Sequence, residues 1–296
     1  MTADPSPPPF PQTLTRPIFL RQCLVPQKPA TANPTLLPPN TFYTSMINNG
    51  LTAWEALSHF LPCSKAEQKK WPHPVWTFSR FGQSLTTLPT PLQTVHPTIG
   101  LLPASTKIFI GGEHEDSYDP DFNIYNDVII IKPPLTDGSD SEKEIHILTY
   151  PHTAFPPTDF HTATQISEKI YIIGNIGYDA GANKSSKAQI CVLDLPTLSM
   201  QRVDVVSPEP VAKKGSPKGR KAKSPVASPP LFEPVATTDE DPGWISQHNA
   251  ELTAEGNILV TVQEGRYCTQ QGGCEPGQWL YNPACGKWSK VPIVEP

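Results

Sequence analysis

The sequence predicts an all-β fold assembled from repeated groups of four short antiparallel strands, on three observations. Its strongest apolar runs, "KIFI" at 107–110, "VIII" at 128–131, "KIYII" at 169–173 and "ILVTV" at 258–262, are short and are followed within three residues by glycine or proline. Short runs rich in β-branched residues suit strands, whereas core helices need ten residues or more. The chain also repeats itself: "FSRFGQSLTTL" with "KIFIGGEH", "PTDFHTATQISEKIYIIGNIGY" and "GWISQHNAELTAEGNILVTVQEG" each join a polar start to a strand pair ending at Gly111-Gly112, Gly174 or Gly265. Two further strands follow each pair.

In the first unit these are "NDVIIIKPP" and "EIHILTYP", in the second "QICVLDLPT" and "MQRVDVV", and in the third "QWLYNPACGKW" and "KWSKVPI". Four short antiparallel strands punctuated by Gly and Pro make one blade of a β-propeller. Three blades are fewer than the roughly four to eight that close a ring. Closure is expected either from additional N-terminal strands within residues 10–51, where "RPIFLRQCLV" is a candidate, or from a homodimer of two such arcs. An arc left open would expose a sheet edge to association.

Before the repeats the pattern changes to a helical one. "LTAWEALSHFL" begins at a plausible N-cap, Thr52, and puts Trp54, Leu57, Phe60 and Leu61 on one face, while Ser64 and Glu67 have capping-box spacing. The expected organisation is a disordered Pro-rich N-terminus at 1–15, an N-terminal extension at 16–72 whose helices pack on the propeller, and the propeller itself at 73–296. A basic Ser/Pro-rich insert at 206–241 interrupts the last part. Nineteen of the 37 prolines fall within 5–39 and 208–242, so the rest of the chain has nearly ordinary globular composition.

Net charge is -5, too small to indicate nucleic acid or a membrane surface as partner. No stretch reaches 18 apolar residues, and no basic start leads into an apolar run like that of a secretory signal. Six cysteines without C-x-x-C spacing then suggest reduced thiols and a cytoplasmic or nuclear protein. Lys213, Lys214, Arg220 and Lys221 in the insert suit nuclear import, and four Ser-Pro steps there are candidate phosphorylation sites.

Arg80, Gly82, Gln83 and Ser84, the double glycine at 111–112 and the later strand aromatics resemble the kelch family. The likeness covers roughly residues 75–292, with Glu264-Gly265 standing where the third unit would carry its double glycine. The resemblance implies a kelch-type β-propeller. It also implies that the His or Gln at each blade start, Gln83, His161 and His248, hydrogen-bonds between neighbouring blades.

Strand alternation places three segments at one end of the blades: the acidic loop 113–121, the crossover leading to His161 and the long crossover leading to His248. Glu113, Glu115, Asp116, Asp159, His161 and His248 are therefore candidate ligands for a divalent metal ion at the mouth of the central channel. Solvated turns and inter-blade hydrogen bonds account for the same residues without a metal. A calcium loop starting at Asp119 fails, because Ile124 and Ile130 occupy its glycine and glutamate positions. Nucleophile-elbow and P-loop motifs are absent from the sequence. The expected function is an intracellular interaction module that binds a protein partner through the loop-rich face. The competing expectation is a metal-dependent enzyme or small-molecule binder at the channel mouth.

Overall fold

A computed structural model describes residues 10, 14–26, 28–61, 73–115, 122–134, 143–175, 187–203, 241–266 and 274–291. The expected capping box at Ser64, the insert at 206–241, the nuclear-import and Ser-Pro residues, and Asp116 lie outside these residues. In chain order the elements are α1 (Arg16–Gln22), β1 (Thr35–Leu36), α2 (Thr41–Asn49), α3 (Ala53–Phe60), β2 (Ser84–Thr87), β3 (Lys107–Ile110), β4 (Glu113–His114), β5 (Asn123–Ile124), β6 (Asp127–Lys132) and β7 (Glu144–Thr149). They continue with β8 (Thr162–Ile166), β9 (Lys169–Ile173), β10 (Ile190–Asp194), β11 (Met200–Arg202), β12 (Asn249–Leu252), β13 (Ile258–Val262), β14 (Gly277–Asn282) and β15 (Lys287–Val291).

The molecule is predominantly β, in antiparallel sheets. The first sheet has the order β1-β7-β6-β3-β2, the second β11-β10-β9-β8 and the third β12-β13-β14-β15. Each contains one of the sequence repeats, strand for strand. Within residues 10–51, where additional strands were expected, β1 adds a fifth strand to the first sheet through Thr35↔Thr149; the hairpin β4-β5, where Glu113 faces Ile124, was not expected. Among the described residues no closed ring is found.

The sheets stack face to face, and their sequences record their place in the stack. Strand β6 is apolar on consecutive positions because Val128 and Ile130 pack towards the second sheet while Ile129 and Ile131 pack towards the helices. Strand β9 is likewise two-sided, with Ile170 and Ile172 facing the first sheet and Tyr171 and Ile173 the third. The third sheet alternates instead: Ile258, Val260, Val262, Trp279, Tyr281 and Trp288 point inward, whereas Asn249, Glu251, Gln278, Lys287 and Ser289 are exposed. Period-two alternation is what a sheet with one wet face requires.

The other end of the stack is closed by helices. Phe19, Phe42, Met46, Leu57 and Phe60 cover Ile129 and Ile147 of the first sheet. Helix α3 begins as expected at Thr52, whose side chain accepts from Glu55 N while Glu55 accepts from Thr52 N at 2.8 Å, a complete capping box. Its buried face is Ala53, Ala56, Leu57 and Phe60, with Trp54 half-buried. Residues 16–22, expected as a strand, form α1 instead. Pro17 at the start of the segment suits the first turn of a helix, and Phe19 reaches the core by packing on Phe42 and Phe60 at 5.3 and 4.7 Å. Within the N-terminal 15 residues, expected to be disordered, Phe10 and Leu14 pack into this same core. No helix among the described residues is long and apolar enough to cross a membrane.

A buried polar cluster ties the helices to the first sheet. Arg80, with a fully buried side chain, donates to both oxygens of Asp127 at 2.5 and 3.0 Å and lies over the ring of Tyr125, 3.3 Å from its centroid. Trp76 donates Nε1–H to Asp127 at 3.2 Å and stacks on Tyr43 of α2 at 4.2 Å.

Candidate functional site

The first strands of the three sheets, β2, β8 and β12, lie side by side, and histidines link them. His161, just before β8, places Nε2 2.8 Å from Ser84 Oγ, the first residue of β2. His248, just before β12, repeats the arrangement one sheet further on, with Nε2 3.0 Å from Thr162 Oγ1. The glycine that ends each second strand makes room for the ring. A Cβ on Gly111 would lie 3.2 Å from His161 Cε1 and 2.4 Å from the Thr158 carbonyl oxygen, and one on Gly174 would lie 3.0 Å from His248 Cε1. Both histidines are buried, which pushes their pKa down from 6.5, to about 3 for His161 and about 4 for His248. For His161 the neighbouring His248 adds to the effect.

This interlock stops at the third sheet. The pairings Ser84↔Ile110, Thr162↔Ile173 and Asn249↔Thr261 are equivalent, so the next residues, Gly111, Gly174 and Val262, are equivalent too. Valine fills the place where the first two units leave a socket. At the other end Gln83 occupies the histidine position and turns its amide towards the carbonyl of Gly111 in its own unit, at 3.5 Å.

No family model matches the chain, and no curated protein is significantly similar to it. The chemistry must therefore be read from the residues themselves.

At the loop-rich end, Glu113 on β4 shares a side-chain hydrogen bond with Asp159 of the crossover between the first and second sheets. Partial burial of Glu113, followed by the nearby charges of Asp159 and Glu115, raises its pKa from 4.5 to about 7. The backbone draws these segments together: Gly112 N–H donates to Thr158 O at 2.9 Å, Phe160 N–H to Gly82 O at 3.0 Å, and Phe81 and Glu113 exchange bonds at 2.9 and 2.8 Å. Asp159 is fully buried, and Glu115 is exposed.

Of the six expected ligands, then, Glu113 and Asp159 meet, with Glu115 near them. His161 and His248 each engage Nε2 with a hydroxyl of the preceding sheet. Among the described residues no group of three or more His, Cys, Asp or Glu side chains is placed to hold a metal ion.

Several residues of this end were not anticipated. Ser84 and Thr162 were visible as repeat positions, and aligning the units by strand register would have paired them with the next histidine. Gln189, which donates to Thr158 Oγ1 at 2.8 Å and to Gly174 O at 3.2 Å, ties the end of β9 to the crossover before β8 and carries no sequence signal. The exposed Phe81 and Phe122 flank the hairpin β4-β5; single aromatics next to an acidic loop did not mark a surface by themselves.

Proposed function

We infer that the chain is a kelch-type propeller arc of three blades that acts as an intracellular protein-interaction module, engaging its partner with the loop-rich end. What carries this reading is the pair of exposed aromatics, Phe81 and Phe122, 64% and 43% exposed, on either side of the hairpin β4-β5 and next to the exposed Glu115. Large aromatics on an otherwise polar rim are the residues that dominate binding energy at protein interfaces. The scaffold beneath them is rigid, because the backbone bonds from Phe81 to Glu113 and from Phe160 to Gly82 fix the ribbon to the first two sheets.

The helices over the first sheet and the polar outer face of the third support an arc that ends at three blades, since stacked repeats need a cap at each end. A six-bladed ring of two chains would require the third sheet of one copy to stack where α1–α3 lie in the other. The test is capture of a partner by the full-length chain, followed by measurement of its affinity for the double variant F81S/F122S. A loss of at least about tenfold, with an unchanged circular dichroism spectrum, is expected; a partner bound equally well by the variant would refute the loop-end reading.

A second reading, a small-molecule or metal-dependent activity at the same end, draws on the Glu113–Asp159 pair. A carboxyl held near neutrality beside a second carboxyl is a common acid-base arrangement. It would require that Glu113→Gln abolish turnover or ligand binding while leaving partner capture intact.

A further inference from the structure

We propose that the cavity between residues 25, 26 and 28–30 and the loop end of the first sheet binds a small organic anion, a carboxylate or phosphate carried on a short apolar body. The cavity has a volume of about 300 Å³, at the small end of the range for small-molecule sites. Asn123 and Ile124, next in the chain to Phe122, line one side of it, but the proposal does not rest on the interaction reading. Its walls are stiff and largely apolar: Pro26 and Pro29 from the N-terminal segment, Pro74, Pro157 and Tyr125. Proline walls have little conformational freedom to lose on binding, so the site is largely pre-organised.

The charged lining is cationic on balance. Lys28 and His152 stand at the rim, both exposed, and neither makes a hydrogen bond or ion pair with another described residue. Asp127 is the one carboxylate among the described lining residues, and both of its oxygens are taken by Arg80 at 2.5 and 3.0 Å. The local balance is therefore positive, and the two cation-capable side chains come from chain segments far apart in sequence. Lys28 offers an ammonium and His152 an N–H in either of its protonation states. An anion seated between them would gain charge-assisted hydrogen bonds while its apolar body filled the proline walls. A neutral ligand would gain only the second contribution and a bare anion only the first.

Calorimetric titration of the full-length protein with benzoate and with phenyl phosphate tests this, with benzamide and inorganic phosphate as controls. We expect one of the two organic anions to bind saturably and at least about tenfold more tightly than its control, and which one binds distinguishes a carboxylate from a phosphate ligand. Lys28→Ala and His152→Ala should each weaken binding by about fivefold or more without changing the melting temperature of the unliganded protein, because both side chains are exposed. Lys290→Ala, on the third sheet, should leave it unaltered. No saturable binding of either anion up to about 10 mM, equal binding of the controls, or binding that survives both pocket substitutions would overturn the proposal.

Discussion

His161 Nε2 lies 2.8 Å from Ser84 Oγ, across the boundary between the first two sheets. The same contact recurs between His248 and Thr162 at 3.0 Å, so two of the sheet boundaries are held by one repeated device. Each ring enters a socket whose floor is the glycine ending the second strand of the preceding unit.

Removing the ring should therefore act on the joint between sheets. His161→Ala is expected to lower stability by about 2–4 kcal/mol, through a lost buried hydrogen bond and the cavity left by the imidazole. Ser84→Ala should cost about 1 kcal/mol, and the double variant less than the sum, with a coupling of about 0.5–1.5 kcal/mol in urea unfolding. Additive effects would show that the bond does not join the sheets.

The socket itself is testable at Gly111, with Gly265, which lies outside any socket, as the control. Gly111 has φ +56 and its added Cβ would meet the Thr158 carbonyl at 2.4 Å, whereas Gly265, at φ +81, has nothing within 4 Å. Gly265→Ala should pay only the left-handed backbone penalty of about 1–2 kcal/mol. Gly111→Ala adds a backbone clash and should lose about 2–3 kcal/mol more, measured by the same unfolding experiment.

Arg80 and Asp127 should behave as a pair. Arg80→Ala leaves a buried carboxylate without its guanidinium and is expected to destabilise by about 3–5 kcal/mol. Arg80→Lys should also be damaging, since one ammonium cannot make both bonds to Asp127 or lie flat over Tyr125. Recovery of wild-type stability by Arg80→Lys would place the effect in charge alone.

The pH profile of stability should carry two limbs of opposite sign. Glu113 holds its proton to about pH 7 in the folded protein but releases it near 4.5 when unfolded, so its contribution to stability declines as pH rises from about 4.5 to about 7 and is flat above. His161 and His248 are neutral in the fold down to about 3 and 4 but charge near 6.5 when unfolded, so their contribution is present above 6.5 and lost as pH falls towards those values. In thermal melts, Glu113→Gln should remove the first limb and raise the melting temperature at pH 8 relative to the parent protein. A Glu113→Gln profile parallel to the parent between pH 4.5 and 7 would show that Glu113 titrates normally.

The strands were legible because their signal is local. Runs such as "KIYII" and "ILVTV", bounded by glycine, specify strand and turn over a few residues, and the repetition of the pattern grouped them correctly into three sets of four. The capping box at Thr52 was legible for the same reason. The segment "RPIFLRQ" was misread because a short apolar run of four residues, Pro17 to Leu20, fits strand and helix alike, and burial against Phe42 and Phe60 decides between them. The hairpin β4-β5 escaped notice because Glu-His and Asn-Ile carry no apolar alternation; Phe81, reached through backbone bonds, holds it in place.

The sequence by itself determined the secondary structure of the repeats and their number, because strand runs and turn residues act over a few neighbouring positions. Only the tertiary structure decided what the polar residues do. Glu113 and Asp159, His161 and Ser84, and Lys28 and His152, which line one cavity, are each separated by tens of residues or more, and their placement depends on sheet stacking and crossover paths. Hydrogen bonds and charge pairs act over a few ångströms. Neither leaves a periodic trace in the chain, and so the site became readable only once the three sheets were in place.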